Sequence, residues 1–258
     1  MRRLVALAPA LLLAAGCGGD GGSANAGDIR AAAEKTARAG SLEADFRISG
    51  QGLSGNGSGV FNTGKARSGQ LTMQVNASGQ RVPVDTIVTG DVFYMRSPVF
   101  SRSIARGKQW IKLDLGRLAQ QRGVDLSSLL DASPTPTNAL VYLAGVDGDV
   151  DEVGSERVAG TSATHYKVTS NLRRAADSTS GSTRQSVQRV MSQSGLKRLP
   201  LDVWVGENGY IRKVRYEEHA GRRQTARVTM ELHDFDDPVE IDPPPSDSVV
   251  DLLELQGG

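Results

Sequence analysis

The residues whose types could do chemistry are few: His165, His219 and His233, the lone Cys17, and the carboxylates Asp234, Asp236, Asp237, Glu240 and Asp242. A histidine with a serine and a carboxylate would serve acyl transfer, and histidines with carboxylates would hold a metal. Neither arrangement is visible in the sequence. No HExxH or GxSxG run occurs. By strand parity His165 sides with Lys167 and Thr169, His233 sides with Arg227, Thr229 and Glu231, and His219 stands at a turn beside Ala220 and Gly221. All three are expected in solvent. The acidic run lacks the glycine and the distal glutamate of a calcium loop. Gly50, Gly52 and Gly55 meet the GxGxxG spacing, but more glycine and then a strand follow, so no helix N-terminus is offered to a pyrophosphate and a loose hairpin tip is expected. The sequence therefore predicts no catalysis, no metal and no cofactor.

Cys17 is the exception. Arg2 and Arg3 precede an apolar run from Leu4 to Leu13, and the small residues Ala14, Ala15 and Gly16 lead into the cysteine. The pattern is that of a bacterial lipoprotein signal, cleaved before Cys17, whose sulfur then carries acyl chains such as palmitate. The match is imperfect: Ala14 stands three places before the cysteine, where leucine is preferred, and Leu13 is one place earlier. An ordinary secretory signal with a chance thiol is the alternative. The run is shorter than the ~20 residues that span a bilayer, and Pro9 interrupts it. Residues 1–16 are thus read as signal peptide. The mature body would be extracytoplasmic and held to the plasma membrane through Cys17.

The 242 residues that remain of 258 carry 28 Lys and Arg against 29 Asp and Glu. That near-neutral balance excludes a nucleic-acid partner, which requires a strong positive face. The cations at 173, 174, 197, 198, 212, 213, 215, 222 and 223 are interspersed with other residues, as on exposed strand faces, and are not read as a headgroup-binding patch. With Cys17 acylated no thiol remains for a disulfide, so stability must come from burial.

Around these residues the chain divides simply. Residues 17–27 (CGGDGGSANAG) form a flexible tether. Asp28 is expected to cap a helix to about Ala39, with Ile29, Ala32, Ala33 and Thr36 on one face and Gly40 as its stop. From Leu42 the apolar period becomes two. Ala44, Phe46 and Ile48, then Leu71, Met73 and Val75, then Val82, Val84 and Val88 alternate with polar residues, and Gly90-Asp91 turns into Val92–Met95, with a further strand over 109–115. Short helices are expected over Leu115–Arg122 and Leu126–Leu130, and a third capped by Thr137 and carrying Leu140, Val141, Leu143 and Ala144. Strands over 150–158 and 163–169 precede a helix over Thr183–Gln193 that presents Val187, Val190 and Met191 and ends at Gly195. A second meander covers Leu199–Val205, an Asn208-Gly209 turn, Ile211–Glu218, a turn at Gly221 and 224–235. Asp242-Pro243-Pro244-Pro245 then ends the ladder, leaving 28–245 as one domain and 246–258 as an extended tail.

Several runs resemble actinobacterial lipoproteins of the LppX/LprAFG family: Gly160 to Val168, Leu199 to Val205 with Asn208-Gly209 and Arg212-Lys213, Asp234-Phe235 to Pro238-Val239, Pro243 to Asp251, Gly90 to Met95, and Lys108 to Leu113. The resemblance implies an α+β fold like that of the LolA and LolB carriers, a strongly curved antiparallel sheet forming an incomplete barrel with short helices over its concave face. It also implies an apolar cavity for lipid or lipoglycan acyl chains, a membrane transporter as a further partner, and no enzymatic activity. The residues agree with such a cavity: strands long enough to offer a wide apolar face, helices too short to cover it, and only 5% aromatic side chains. The expected lining is Phe46, Ile48, Leu71, Met73, Val75, Val84 and Val88, with Leu140, Val141, Leu143, Val187 and Met191 from the helices and Trp204 and Met230 on the far wall of a monomer. Two other functions remain open, a docking or sensor module with a packed core and an envelope hydrolase with a convergent serine, histidine and carboxylate.

Overall fold

The computed structural model describes residues 24–50, 53–63, 68–77, 79–99, 107–122, 136–220 and 224–255. Cys17, the signal peptide and the helix expected over Leu126–Leu130 lie outside the described residues.

Alternating patterning builds a single twelve-stranded, unclosed sheet. Its strands are β1 (Ser41–Gly50), β2 (Leu53–Asn62), β3 (Ser68–Ala77), β4 (Gln80–Thr89), β5 (Val92–Arg96), β6 (Trp110–Asp114), β7 (Asp151–Val158), β8 (Thr161–Asn171), β9 (Arg198–Gly206), β10 (Ile211–Ala220), β11 (Gln224–His233) and β12 (Val249–Asp251). Their spatial order is β12-β6-β5-β4-β3-β2-β1-β11-β10-β9-β8-β7. Both meanders are antiparallel, and they meet where β1 pairs with β11, with Ala44 opposite Leu232, Phe46 opposite Met230 and Ile48 opposite Val228. The tight turns fall where expected, with Gly90 at φ +60° and Gly209 at φ +74°.

Two segments depart from the sequence expectation. The glycine-rich run read as a loose hairpin tip is the regular strand β2, with Gly55, Gly57 and Gly59 on the face shared with Phe46 and Met73. Its inner positions carry no side chain because neighbours occupy the space: a Cβ at Gly57 would stand 2.2 Å from the Thr72 carbonyl oxygen and 2.8 Å from Met73 Cγ, and one at Gly59 would stand 2.8 Å from the Phe61 ring. Glycine in a strand interior permits sharp bending, and the Phe61 ring restores the lost contact. The run after Pro245 is no free tail. It forms a 3₁₀ turn (Ser246–Ser248) and then β12, which pairs in parallel with β6, Val249 opposite Trp110. The buried Asp251 fastens it, meeting Lys112 at 3.2 Å and Arg117 at 3.1 Å.

The helices are α1 (Ala26–Ala37), α2 (Leu115–Arg122), α3 (Pro136–Ala144), α4 (Leu172–Asp177), α5 (Gly181–Ser194) and α6 (Leu252–Leu255). The cap of α1 is Asn25, not Asp28. Asn25 Oδ1 accepts from the Gly27 N–H at 2.7 Å, while Asp28 reaches back to accept from the Asn25 N–H at 2.8 Å, a reciprocal box that places the helix start three residues earlier. Likewise α3 begins with Pro136 in its first turn, which needs no N–H there, so Thr137 lies inside the helix and does not cap it. The unforeseen α4 is capped by Asn171, whose Oδ1 accepts from the Arg173 and Arg174 N–H groups at 3.1 and 3.2 Å.

Four of these helices cover one half of the concave face. α1 packs on α3, α4 on α5, and the group sits against β8 and β10. Beneath them Leu201, Val203, Val214, Met230 and Leu232 are sealed together with Ile29, Ala33, Leu143 and Leu172. A buried hydroxyl pins α1 to the sheet: Thr36 Oγ1 donates to the Ala32 carbonyl at 2.8 Å and accepts from the Ile211 N–H at 2.8 Å, at the irregular start of β10. Replacing Thr36 with valine keeps the volume and strands the Ile211 N–H. The expected cost is about 1–3 kcal/mol, a melting temperature lower by roughly 2–10 °C, read by calorimetry; an unchanged melt would show that the bond is dispensable.

Candidate functional site: the concave face

The concave face changes character along the sheet. Over β9, β10 and β11 the inward Leu201, Val203, Val214, Tyr216, Val228, Met230 and Leu232 are buried, while Val205 and Ala226 at the strand ends are half-buried. On β1 and β3, Phe46, Leu71 and Met73 are still buried, with Phe46 edge-on to Phe61 at 5.9 Å between ring centres. Farther on, register keeps Ile48, Val75, Val82, Val84, Val88, Met95 and Leu113 on the same inner face, where they are only half-buried, while Phe93 and Ile111 between them on β5 and β6 are buried. The result is a continuous apolar surface, packed at one end and partly uncovered at the other. It contains Thr86 as its polar inward residue on β4.

The residues expected to line a cavity separate along this gradient. Phe46, Leu71, Met73, Leu140, Leu143, Val187 and Met230 belong to the closed core, while Ile48, Val75, Val141 and Met191 are half-buried against it. Val84 and Val88 lie on the open half. Trp204 does not share this face. Strand parity opposes it to Val203, and it packs with Val158 and Ala163 in a small cluster on the outer side. Val82, Met95, Leu113 and Phe61 were missing from the expected set; the first three continue alternations already visible in the sequence, whereas Phe61 was hidden behind the glycines of β2.

The outer side also corrects the expectation for the histidines. His165 is not free in solvent: its ring stacks on Trp204 with centres 4.1 Å apart, and Nε2 lies 2.6 Å from Asp202. Lys213 and Arg215 flank the indole at 4.8 and 5.3 Å, and Arg215 pairs with Asp202 at 3.1 Å. This cluster covers an outward tryptophan with charge and ring stacking, and none of its described contacts involves a serine nucleophile. His233 is only partly exposed. Burial opposes its charge, but hydrogen bonds with Asp234 and Asp45 outweigh that and hold its pKa above the ordinary histidine value. The side chain of His219, like Arg222 and Arg223, lies outside the described residues. Of the acidic run, Asp236 accepts from the Gly40 N–H and from the Tyr210 hydroxyl, both at 2.7 Å, and these donors lower its pKa.

A cleft of about 1070 Å³ opens at the edge of β8 to β10 near residues 147–151, with nine acidic or basic residues such as Asp147, Asp151, Arg198 and Arg227 in its lining and Val168, Leu196, Leu199, Leu201 and Tyr216 among the rest. Its ionised side chains suit hydrocarbon less well than the concave face does, since burying them against it would strip their hydration. The concave face is the apolar candidate.

The unclosed, curved sheet with short helices on its inner side is the LppX/LprAFG-type lipoprotein fold. The chain superposes on LprF from Mycobacterium bovis with a TM-score of 0.54 at 11% identity, covering 85% of this chain and 96% of that one. Against the lipoprotein LppX of Mycobacterium tuberculosis the TM-score is 0.51 at 15% identity, over 84% of this chain and 97% of that one. In sequence it is 27% identical over 159 residues to an uncharacterized 31.2 kDa protein of Streptomyces griseus from the rplA-rplJ intergenic region, covering 59% of this chain. The match takes in 52% of that protein, so the chain spans about half the length of the curated relative it matches. No protein-family model matches the chain.

The outer cluster and the inner face are separable by mutation. His165→Ala removes the stack on Trp204 and one partner of Asp202, with an expected loss of about 1–2 kcal/mol in denaturant melts and a red shift of tryptophan emission. Unchanged stability and emission would refute the packed cluster.

Proposed function

We propose that the protein is an extracytoplasmic lipoprotein, anchored through acylated Cys17, that binds lipid or lipoglycan acyl chains on the open half of its concave face and carries or presents them in the cell envelope. The observation that supports this reading most directly is the set of half-buried apolar side chains on the inner face from Val75 through β4 to Met95, continuous with a closed apolar core. A hydrocarbon chain laid there would cover Val75, Val82, Val84, Val88 and Met95, each of which is otherwise partly in water. At ~0.8 kcal/mol per buried methylene, ten methylenes would contribute about 8 kcal/mol before the entropy of ordering the chain. Polar headgroups would stay outside, where no fixed hydrogen-bonding motif is needed.

The fold shared with LprF and LppX supports the envelope setting, and so does the N-terminal pattern ending at Cys17. Among the described residues no helix is long and apolar enough to cross a membrane; attachment is assigned to the acylated cysteine. Binding of this kind uses desolvation and dispersion and involves no bond-making step, in keeping with a non-enzymatic role. A membrane transporter is the partner a carrier of this kind would serve.

Native mass spectrometry of the protein purified from its own host should show added mass that extraction identifies as acylated lipid; a clean unliganded mass, with no uptake from supplied lipid, would sink the carrier reading and favour a docking module. Val84→Trp places an indole on the half-open surface without opening the core. If it displaces three methylenes, affinity should fall by ~2.4 kcal/mol, roughly 50-fold, while circular dichroism stays unchanged. Met73→Trp is the poorer probe because Met73 is closed over Gly57. In the cell, Cys17→Ala should shift the protein from the membrane fraction to the soluble extracytoplasmic fraction, and retention on the membrane would refute the anchor.

A further inference from the structure

The outer face of the β1–β11 seam collects negative charge. Glu43 stands directly opposite His233, and Asp45 directly opposite Glu231. Asp234 follows at the strand end with its backbone in the left-handed region, φ +46°. Like charges directly opposed across two strands are unfavourable unless a positive group lies between them. Lys213 answers Glu231 at 3.1 Å. Among the described residues no lysine or arginine forms an ion pair with Glu43, Asp45 or Asp234, and the cation that meets the two aspartates is His233 when protonated.

One ligand atom each from Glu43, His233 and Asp234 lies within 4.8 Å of the other two. The imidazole is already held on both sides, Nδ1 at 2.8 Å from Asp234 and Nε2 at 3.3 Å from Asp45. We propose that Glu43, His233 and Asp234 bind a first-row divalent cation, zinc being the fitting case, at the end of this seam. One imidazole nitrogen with two carboxylates is a mixed nitrogen and oxygen donor set that suits zinc, whereas calcium takes six to eight oxygens. Zinc ligands stand roughly 3.4 Å apart around the ion, so Asp234 must draw back slightly from Nδ1, now at 2.8 Å, and Glu43 must settle to the same spacing. Rotation of the exposed Asp234 and the half-exposed Glu43 supplies that movement. Nδ1 then takes the metal in place of the proton it shares with Asp234, and Nε2–H donates to Asp45, which orients the ring from behind. The fourth position faces solvent and takes water.

The ligands come from strands whose pairing joins the two meanders, so an ion bound here staples residues 43 and 233 of the chain together. It was invisible as a motif because Glu43 lies 190 positions before His233. The site is independent of the lipid-binding face, which lies on the other side of the sheet.

The test uses the full chain with Cys17→Ser, which removes its only thiol, freed of metal by a chelator and titrated with zinc, calcium and magnesium by calorimetry. The expected result is one zinc per chain, nitrogen and oxygen ligation in X-ray absorption, and a melting temperature that rises with zinc concentration. Glu43→Gln and His233→Gln should each abolish that stoichiometric binding while circular dichroism stays native. Asp45→Asn should weaken it by about 10-fold or more. Absence of zinc uptake, preference for calcium, or uptake unchanged in both Glu43→Gln and His233→Gln would each overturn the assignment.

Discussion

A sheet of twelve strands presents one long inner face, and the rest of the molecule depends on how much of that face its own helices can cover. α1, α3, α4 and α5 run from 6 to 14 residues. They suffice to seal β8 to β11, where Val203, Val214 and Leu232 are completely enclosed. Apolar surface left beyond them stays in partial contact with water, a cost of about 25 cal/mol for each Å². A protein selected only for stability would replace such residues with polar ones; here the alternation of valine and methionine continues onto β4 and β5. Retained apolar character on an incompletely covered face is what the proposed lipid-binding role requires.

The inner face is shaped at β2 by glycine. Gly55, Gly57 and Gly59 take the inward positions of β2, next to the bulky Phe46 on β1 and Met73 on β3. Without side chains of its own, β2 lets its neighbours lean across it, and Phe61 and Met73 fill the space. A larger residue at Gly57 would have to push two backbones apart. Close packing through glycine explains how a strand with little hydrophobic content sits within a hydrophobic wall.

Much of this architecture is legible in the sequence because it rests on alternation and turn chemistry. β1, β3, β4 and β11 show period two over most of their lengths, Gly90 marks the turn after β4, and Gly209 marks the turn between β9 and β10. What was not legible has identifiable physical reasons. β2 was lost because its inward positions are glycine, so alternation left no apolar signal. β12 was lost because three prolines precede it and because parallel pairing with β6 is a contact between distant segments. Trp204 was misplaced by its size: large aromatic residues suggest a core, but parity with Leu201 and Val203 already assigned it outward, and only the structure shows the His165, Lys213 and Arg215 side chains that make an outward indole tolerable. His165 was read as solvated by that same parity; its partners lie on other strands.

The division between a sealed half and an open half also determines what kind of ligand selectivity the site can have. On the open half the inward groups are methyls, methylenes, a thioether and the buried Phe93 ring, with the Thr86 hydroxyl among them on β4. Such a wall discriminates chain length and bulk, each methylene changing affinity by a few-fold, but it cannot read the pattern of hydroxyls on a headgroup. Recognition of a headgroup would have to come from the rim, where backbone and charged side chains meet water. Under the proposed function the apolar face would hold the chains, and any choice among lipids that share the same chains would be made at its edge.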